Sequence, residues 1–150
     1  MKKLMLAAAF CLLCSTGVYA QAKKVDVQET DLPQAVRKSF SSRYPNSSGA
    51  DWEMREARYK VRFSEGETRH LVEFNNAGEV VRTGVGIPRE DMPAVVNAAI
   101  NAEYGNPELG DIYRVKKDGQ LYFVVEITSL AGRMVVYDEA GNVVKEQLIE

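Results

Sequence analysis

The apolar and polar positions of this chain follow one pattern that is written twice. Segment 71–81 reads LVEFNNAGEVV and segment 134–144 reads MVVYDEAGNVV, with Gly78 and Gly141 in matching places at an offset of 63 residues (141 − 78). Each segment has a strand-like run, a polar turn whose glycine can take a positive φ, and a second strand-like run, which together predict a β-hairpin. The sequence therefore indicates two copies of one unit.

An amphipathic helix is predicted ahead of each hairpin, because apolar residues recur there at intervals of three and four. Asp31 is the expected N-cap of the first helix, with Pro33 in its first turn, and the tripeptide 91–93 repeats this start ahead of the second helix. The stripes that should face a sheet are Leu32, Ala35, Val36, Ser39, Phe40 and Tyr44 in the first copy, and Met92, Val95, Val96, Ala99, Ile100 and Tyr104 in the second.

The clearest strand of the first copy alternates between two kinds of residue. The aromatic and apolar positions are Tyr59, Val61 and Phe63, and the basic positions between them are Arg58, Lys60 and Arg62. Because successive side chains of a strand point to opposite faces, one face is apolar and the other is basic. We expect the apolar face, together with Trp52, to pack under the first helix against Val36 and Phe40.

The equivalent strand of the second copy is apolar on both faces. Tyr122 aligns with Tyr59 at the offset of 63 (122 − 59), which directs Tyr122 and Val124 towards the helix. The residues then turned outwards are Phe123, Val125 and Ile127, with Met134 and Val136 beside them. Two alternatives remain open: a register slip or bulge would return the first three to the core, and contact between the two copies would bury this face.

These elements predict an α+β fold of two tandem repeats. Each repeat has one helix and a four-stranded antiparallel sheet, with the helices on one sheet face and the opposite face uncovered. The expected boundaries are a signal peptide over 1–20, a flexible leader over 21–29, the first repeat over 30–85 and the second over 86–150.

The first 20 residues combine a basic start, an apolar run and a small-residue end, which is typical of a secretory signal peptide cut before Gln21. The run is short for a membrane span, and Leu13 precedes Cys14 where a lipoprotein site requires a small residue, so a retained anchor and lipidation are the weaker alternatives. The exported chain is predicted to be periplasmic or secreted and to have no membrane span. Both cysteines lie in the signal, so its stability must come from an apolar core.

Charge and motifs then narrow the class of function. Without Lys2 and Lys3 the chain has 17 basic and 21 acidic residues, a net charge of −4, which argues against nucleic acid as a partner. His70 is the single histidine, so multi-imidazole zinc sites are excluded, and no serine lies in a nucleophile-elbow motif. The Asn75–Gly78 turn lacks the alternating acidic ligands of a calcium loop. We therefore expect no enzymatic activity, no cofactor and no metal.

An uncovered surface is the candidate functional site. It should combine the cations Lys60 and Arg62 of the first copy with the apolar patch Phe123, Val125, Ile127, Met134 and Val136 of the second. A patch of this kind on an exported protein usually marks a partner or ligand site.

The repeated order of Leu-Pro or Met-Pro, helix, tyrosine, aromatic strand, Val-Glu-Phe-Asn or Val-Val-Tyr-Asp, and Ala-Gly resembles the secreted bacterial PepSY-like, or β-lactamase-inhibitor-like, family over roughly residues 30–148. The resemblance implies a concave sheet that binds a protein, without implying any inhibitory residue. The leading prediction is a non-enzymatic binding module, inhibitor-like, with a protein of the cell envelope as partner. The alternative is a carrier of a small apolar ligand or lipid of the envelope.

Overall fold

The computed structural model describes residues 24–129 and 132–148. Within these residues the chain forms two α-helices, α1 (Gln34–Arg43) and α2 (Ala94–Tyr104), and nine strands. The strands are β1 (Val25–Asp26), β2 (Ser48–Arg55), β3 (Arg58–Glu65), β4 (Thr68–Phe74), β5 (Val80–Gly86), β6 (Leu109–Lys117), β7 (Gln120–Ile127), β8 (Arg133–Asp138) and β9 (Val143–Leu148). The predicted signal peptide lies outside the described residues.

All nine strands of the described chain belong to one antiparallel sheet, in which they lie side by side in chain order from β1 to β9. The predicted α+β class is confirmed. We call α1 with β1–β5 the first half and α2 with β6–β9 the second half. The halves join where Thr83 to Gly86 of β5 pair with Tyr113 to Lys116 of β6.

The described part of the predicted flexible leader is attached to the sheet, contrary to expectation. Val25 and Asp26 pair with Met54 and Glu53 of β2, and the amide of Val27 donates to the carbonyl of Trp52 at 3.0 Å. The polar composition of 21–29 did not indicate this strand, because a short edge strand can pair through its backbone with little apolar surface. A short, charged edge strand protects a sheet against pairing with other chains.

The predicted helix cap at Asp31 is wrong. Asp31 ends a short 3₁₀ turn (Glu29–Asp31), and the α1 cap position is Pro33, which makes no side-chain capping bond. Leu32 and Pro33 are extended, with ψ of 147° and 140°, so Asp31 is displaced from the first amides of the helix. The extended backbone instead directs Leu32 into the core below the helix, and Met92 lies in the same way below α2.

The core of the first half forms between α1 and the sheet, as predicted. Val36 and Phe40 of α1 pack against Trp52 and Phe63, with Tyr59 at the margin. The ring of Phe40 meets those of Trp52 and Phe63 edge to face, with centroids 5.0 and 5.1 Å apart, which is a favourable aromatic geometry. The alternation of aromatic and basic residues in β3 therefore predicted correctly which face of the strand packs under α1.

The register predicted for the second half is wrong by one residue. Phe123 is 3% exposed, and Val125 and Ile127 are 0% exposed, because all three pack in the core below α2. Tyr122 and Val124 lie in the cluster on the other face of the sheet. The register-slip alternative is therefore the correct one.

The strand pairing gives the reason for this error. Val61 pairs with Val72 in the first half, and Val125 pairs with Val135 in the second. The partners β4 and β8 are offset by 63 residues (135 − 72), whereas β3 and β7 are offset by 64 (125 − 61). The connection accounts for the difference: residues 64–69 separate the paired Phe63 and His70, while only 128–132 separate Ile127 and Arg133. The connection in the second half is one residue shorter. The side chains of β7 therefore point to the faces opposite to those expected.

In each half, one hairpin turn lies against the helix of that half at a glycine. The hairpins are β4–β5 in the first half and β8–β9 in the second. Gly78 has φ +77°, and a Cβ at this position would overlap the carbonyl oxygen of Ala35 in α1. Gly141 has φ +83°, and a Cβ there would lie 3.0 Å from the carbonyl oxygen of Val95 in α2. The glycine of the repeated Ala-Gly pair is thus required by the close approach of turn and helix.

The two hairpin turns are held by side chains of different chemistry. The amide oxygen of Asn75 accepts the backbone N–H groups of Ala77 and Glu79, both at 3.0 Å. In the second half, Oδ1 of Asp138 accepts from Ala140 and Asn142 at 2.9 and 2.8 Å. A side-chain hydrogen bond from Asn142, with the backbone donors, lowers the pKa of Asp138 below its ordinary value.

We expect the second turn, but not the first, to loosen in acid. A lowered pKa means that the contribution of Asp138 is complete above its unfolded value of about 3.9 and is lost as the pH falls through the folded value. Hydrogen exchange between pH 6 and pH 3 should show reduced protection of the Ala140 and Asn142 amides. Those held by Asn75 should keep theirs, and Asp138→Asn should remove the difference. Equal loss in both turns would contradict the assignment.

Candidate binding face

The sheet curls around the face opposite to the helices. Nη1 of Arg55 in β2 donates to Oε1 of Gln147 in β9 at 3.0 Å. Seven strand spacings separate these strands (9 − 2), which would be roughly 34 Å in a flat sheet, far beyond the reach of two side chains. The face is therefore concave. We define the concave face by Glu53, Arg55, Arg58, Lys60, Arg62, Leu71, Glu73, Arg82, Tyr113, Val115, Tyr122, Val124, Met134, Val136, Lys145 and Gln147.

One part of the concave face is apolar. Leu71, Tyr113, Val115 and Val124 form a buried cluster, which we call the concave cluster. Tyr122, Met134 and Val136 are only partly buried and pack around it. Burial, and then the charge of Asp111, which accepts its hydroxyl at 3.2 Å, raise the pKa of Tyr113 to about 12. This cluster draws on both halves of the chain.

The other part is an ion-pair network around two buried carboxylates. Glu53 and Glu73 are 6% and 7% exposed. Glu53 contacts Lys60, Arg62 at 3.1 Å and Lys24 at 3.7 Å, while Glu73 contacts Arg82 at 2.6 Å and Arg58 at 3.3 Å. Buried charges are tolerated when they are paired in this way. The charges of Arg58, Lys60 and Arg62 in β3 are therefore largely neutralised by these two carboxylates.

The pKa values of one pair in this network reflect burial and attraction together. Burial alone would raise the pKa of Glu53, but the nearby cations, Lys60 foremost, bring it below the ordinary value. Burial lowers the pKa of Lys60, and the attraction of Glu53 opposes that shift. Removal of Glu53 would leave the Lys60 ammonium, whose side chain is 12% exposed, without its counter-charge. The two residues are thus a structural pair.

A cleft lies where β2 and β9 approach each other across the concave face. Its volume is about 130 Å³, and its lining consists of Glu53, Arg55, Glu56, Arg58, Lys60, Glu73, Lys145 and Gln147. Within residues 24–129 and 132–148, the ion pairs of the lining cations involve Arg58 and Lys60, whereas Arg55 and Lys145 have no carboxylate partner. The cleft therefore holds two cations, Arg55 and Lys145, without an ion-pair partner among the described residues, and the carboxylate of Glu56 at its exposed margin is also unpaired there.

The structure divides the residues predicted for the partner surface between two faces. Lys60, Arg62, Met134 and Val136 lie on the concave face, whereas Phe123, Val125 and Ile127 belong to the core below α2. Sequence reasoning missed the buried carboxylates and the concave cluster. A signal was present for Glu73, which interrupts the apolar run 71–74, and for Glu53, which alternates with Trp52 and Met54.

The remaining candidate chemistry concerns metal ligands, His70 and membrane spans in the described part of the chain. There, no three His, Cys, Asp or Glu side chains are grouped so that they could hold a metal ion. The imidazole of His70 stacks on Phe63 with ring centroids 5.2 Å apart, and its Nε2 lies 3.8 Å from Glu65. No helix among the described residues has the length and apolarity to cross a membrane.

Comparison with protein families agrees with this architecture. The family described as "putative beta-lactamase-inhibitor-like, PepSY-like" matches residues 18–69 and 57–145, which together extend over most of the chain. The chain belongs to this family. The resemblance seen in the repeated sequence pattern is thereby confirmed. Among curated proteins, none matches.

Solved structures of related shape come from Bacteroides. A putative periplasmic protein from Bacteroides eggerthii is 20% identical, with 77% of this chain and 88% of that chain covered and a TM-score of 0.61. A DUF2874 family protein from Bacteroides uniformis has the same identity and coverages and a TM-score of 0.59. A BLIP-like protein from Bacteroides fragilis is 19% identical, with 77% and 85% covered and a TM-score of 0.53. These likenesses establish the fold alone, and neither they nor the family description indicates an enzymatic activity.

Proposed function

We propose that this PepSY-like protein is an exported, non-enzymatic binding module of the cell envelope that holds a partner protein on its concave face. The observation that carries the proposal is the composition of that face. Partly exposed Tyr122, Met134 and Val136 surround a buried apolar cluster, next to a cleft in which the cations Arg55 and Lys145 have no ion-pair partner among the described residues. An apolar centre with a charged margin is typical of protein interfaces.

Two further features support this function. The family is described as beta-lactamase-inhibitor-like, and a neighbour of related fold is described as periplasmic, which is consistent with a protein-binding role outside the cytoplasm. The apolar lining expected of a lipid carrier would have consisted of the outward residues of β7 and β8. Three of its five residues lie below α2, so no observation favours the carrier.

The predicted boundaries belong to the same proposal. Residues 1–20 direct export, the mature chain begins at Gln21, and the segments 30–85 and 86–150 are two copies of one helix-plus-four-strand unit. β1 is an addition to the first copy. N-terminal sequencing of the protein from envelope material tests the cleavage site, and a chain that starts at Met1 or is lipidated at Cys14 would refute it.

Capture from envelope extract tests the binding face. The double substitution of Met134 and Val136 by serine removes partly exposed apolar surface from β8, and we expect it to reduce recovery of the partner at least about tenfold, the effect of losing ~1.4 kcal/mol of binding free energy. A photo-cross-linking residue at position 134 should yield one cross-linked protein, identified by mass spectrometry. Native mass spectrometry of the isolated chain should show no bound small molecule.

A matched control comes from the helix side of the molecule. Val95 of α2 is 46% exposed, so Val95→Ser removes apolar surface of the same kind away from the concave face. This variant should capture the partner as the unchanged protein does. If both variants lose the partner equally, or if the cross-linker reacts only from position 95, the concave face is not the binding site.

A further inference from the structure

The guanidinium of Arg55 donates to a neutral amide oxygen and has no carboxylate acceptor among the described residues. Its single hydrogen-bond acceptor among the described residues is the amide oxygen of Gln147, at 3.0 Å. Its Nε is shielded from solvent and has no acceptor in that part of the chain. By contrast, Arg58 of the same cleft donates to the carboxylate of Glu73. An arginine prefers a charged acceptor that takes two hydrogen bonds, so Arg55 is under-satisfied.

The charge of the cleft favours an anion from outside the chain. Three carboxylates line it: Glu53 is shared with Lys24 and Arg62, and Glu73 with Arg82, all of which lie outside the lining, whereas Glu56 is exposed and forms no ion pair among the described residues. Glu53 and Glu73 are therefore already paired with cations outside the lining, and the lining itself has four cations against three carboxylates. The chain as a whole is acidic, with a formal net charge of −2, so the cleft is a local exception. Opposite charge at such a position guides and orients a partner.

We propose that this cleft binds an Asp or Glu carboxylate of the partner protein, with Arg55 and Lys145 as its ligands and Gln147 as the group that it displaces. The inference rests on the proposed function, since it names the chemistry of the partner on the same face. The cleft lies between the strands β2 and β9 and holds about 130 Å³. This space suits a single carboxylate.

A defined acidic peptide provides the test before the partner is known. Hexaglutamate with blocked ends is titrated into the exported protein at low salt, and binding is followed by the NMR signals of the Arg55 guanidinium and the Gln147 amide. We expect both signals to shift. The double variant Arg55→Gln, Lys145→Gln should bind at least about tenfold more weakly, as for loss of a close charge pair.

The control and a second variant separate a specific site from general attraction. Arg37→Gln combined with Lys38→Gln makes the same charge change at exposed positions of α1 and should change the affinity less than about twofold, as exposed charges contribute little. Gln147→Ala removes the competing oxygen, so it should tighten hexaglutamate binding. A merely structural role of Arg55 and Lys145 would not produce this gain.

Three results would overturn the inference. They are equal weakening by the two double variants, equal binding of hexalysine, and binding of phosphatidylglycerol vesicles that requires Arg55 while hexaglutamate does not bind. Its failure is distinguishable from failure of the proposed function. If capture of the partner depends on Met134 and Val136 but not on Arg55 and Lys145, the carboxylate site is wrong and the binding face stands. If hexaglutamate binds as expected but no protein is captured on the concave face, the binding-module proposal fails instead.

Discussion

Replacement of Phe123 and Val125 by serine together is expected to abolish the native fold. Both side chains are buried below α2, where each substitution removes a packed group and introduces a hydroxyl into an apolar site. The loss is roughly 3 kcal/mol or more at each position, and a total of about 6 kcal/mol is comparable with the whole stability of many domains of this size. Circular dichroism and urea unfolding of the exported protein should show an unfolded chain at 25 °C.

The control for this experiment is the pair on the neighbouring strand that points the other way. Met134 and Val136 of β8 are only partly buried on the concave face, so their replacement by serine should leave a folded protein with a loss of at most about 2–3 kcal/mol. The comparison tests the register of β7 directly. A folded Phe123 and Val125 variant beside an unfolded Met134 and Val136 variant would mean that the faces are reversed.

Gly78→Ala is expected to cost about 3 kcal/mol of stability, which is far more than an exposed turn usually contributes. Alanine in the left-handed region at φ +77° is unfavourable by roughly 1–2 kcal/mol. The added methyl group would also overlap the carbonyl of Ala35, so the hairpin must move away from α1, which adds roughly 1–3 kcal/mol. The midpoint of urea unfolding measures the total.

Gly119→Ala separates these two contributions. Gly119 has φ +78°, nearly the same as Gly78, and beyond its own chain neighbours no atom lies within 4 Å of the position that its Cβ would occupy. Its substitution should therefore show the backbone term alone, about 1–2 kcal/mol. Equal losses for the two variants would indicate that the turn does not press against the helix.

The parts of the fold that sequence predicted well were those in which two signals agreed. In β3, aromatic residues alternate with arginine and lysine, so only one register is reasonable, and the core around Phe40 followed directly. In β7, six of the seven residues from Leu121 to Ile127 are apolar or aromatic, so both faces of the strand are apolar, and the choice of face rested on aligning Tyr122 with Tyr59. A connection one residue shorter was enough to reverse it. Register in an apolar strand is set by pairing partners and connection length, which a single sequence does not display.

The candidate site was predictable to a similar degree. Alternation placed Lys60 and Arg62 away from the helix, and the structure has them there. Their neutralisation by Glu53 and Glu73 depends on which strands are neighbours, and the meeting of Arg55 with Gln147 depends on the curl of the sheet across seven strand spacings (9 − 2). Contacts of this kind arise from tertiary geometry. Local sequence patterns mark Glu53 and Glu73 as unusual positions, but they do not show which cations these carboxylates meet.

The concave cluster also limits how this protein can acquire a different specificity during evolution. Each helix-side core takes its buried residues from one half, whereas the concave cluster joins Leu71 of β4 to residues of β6 and β7. Leu71 and Val115 meet over Gly84, where a Cβ would lie 2.9 Å from the Val115 side chain. Reshaping the centre of the face for a new partner therefore also loosens the joint between the halves. Divergence among relatives should concentrate at the charged margin around Arg55 and Lys145, where side chains can change without disturbing that joint.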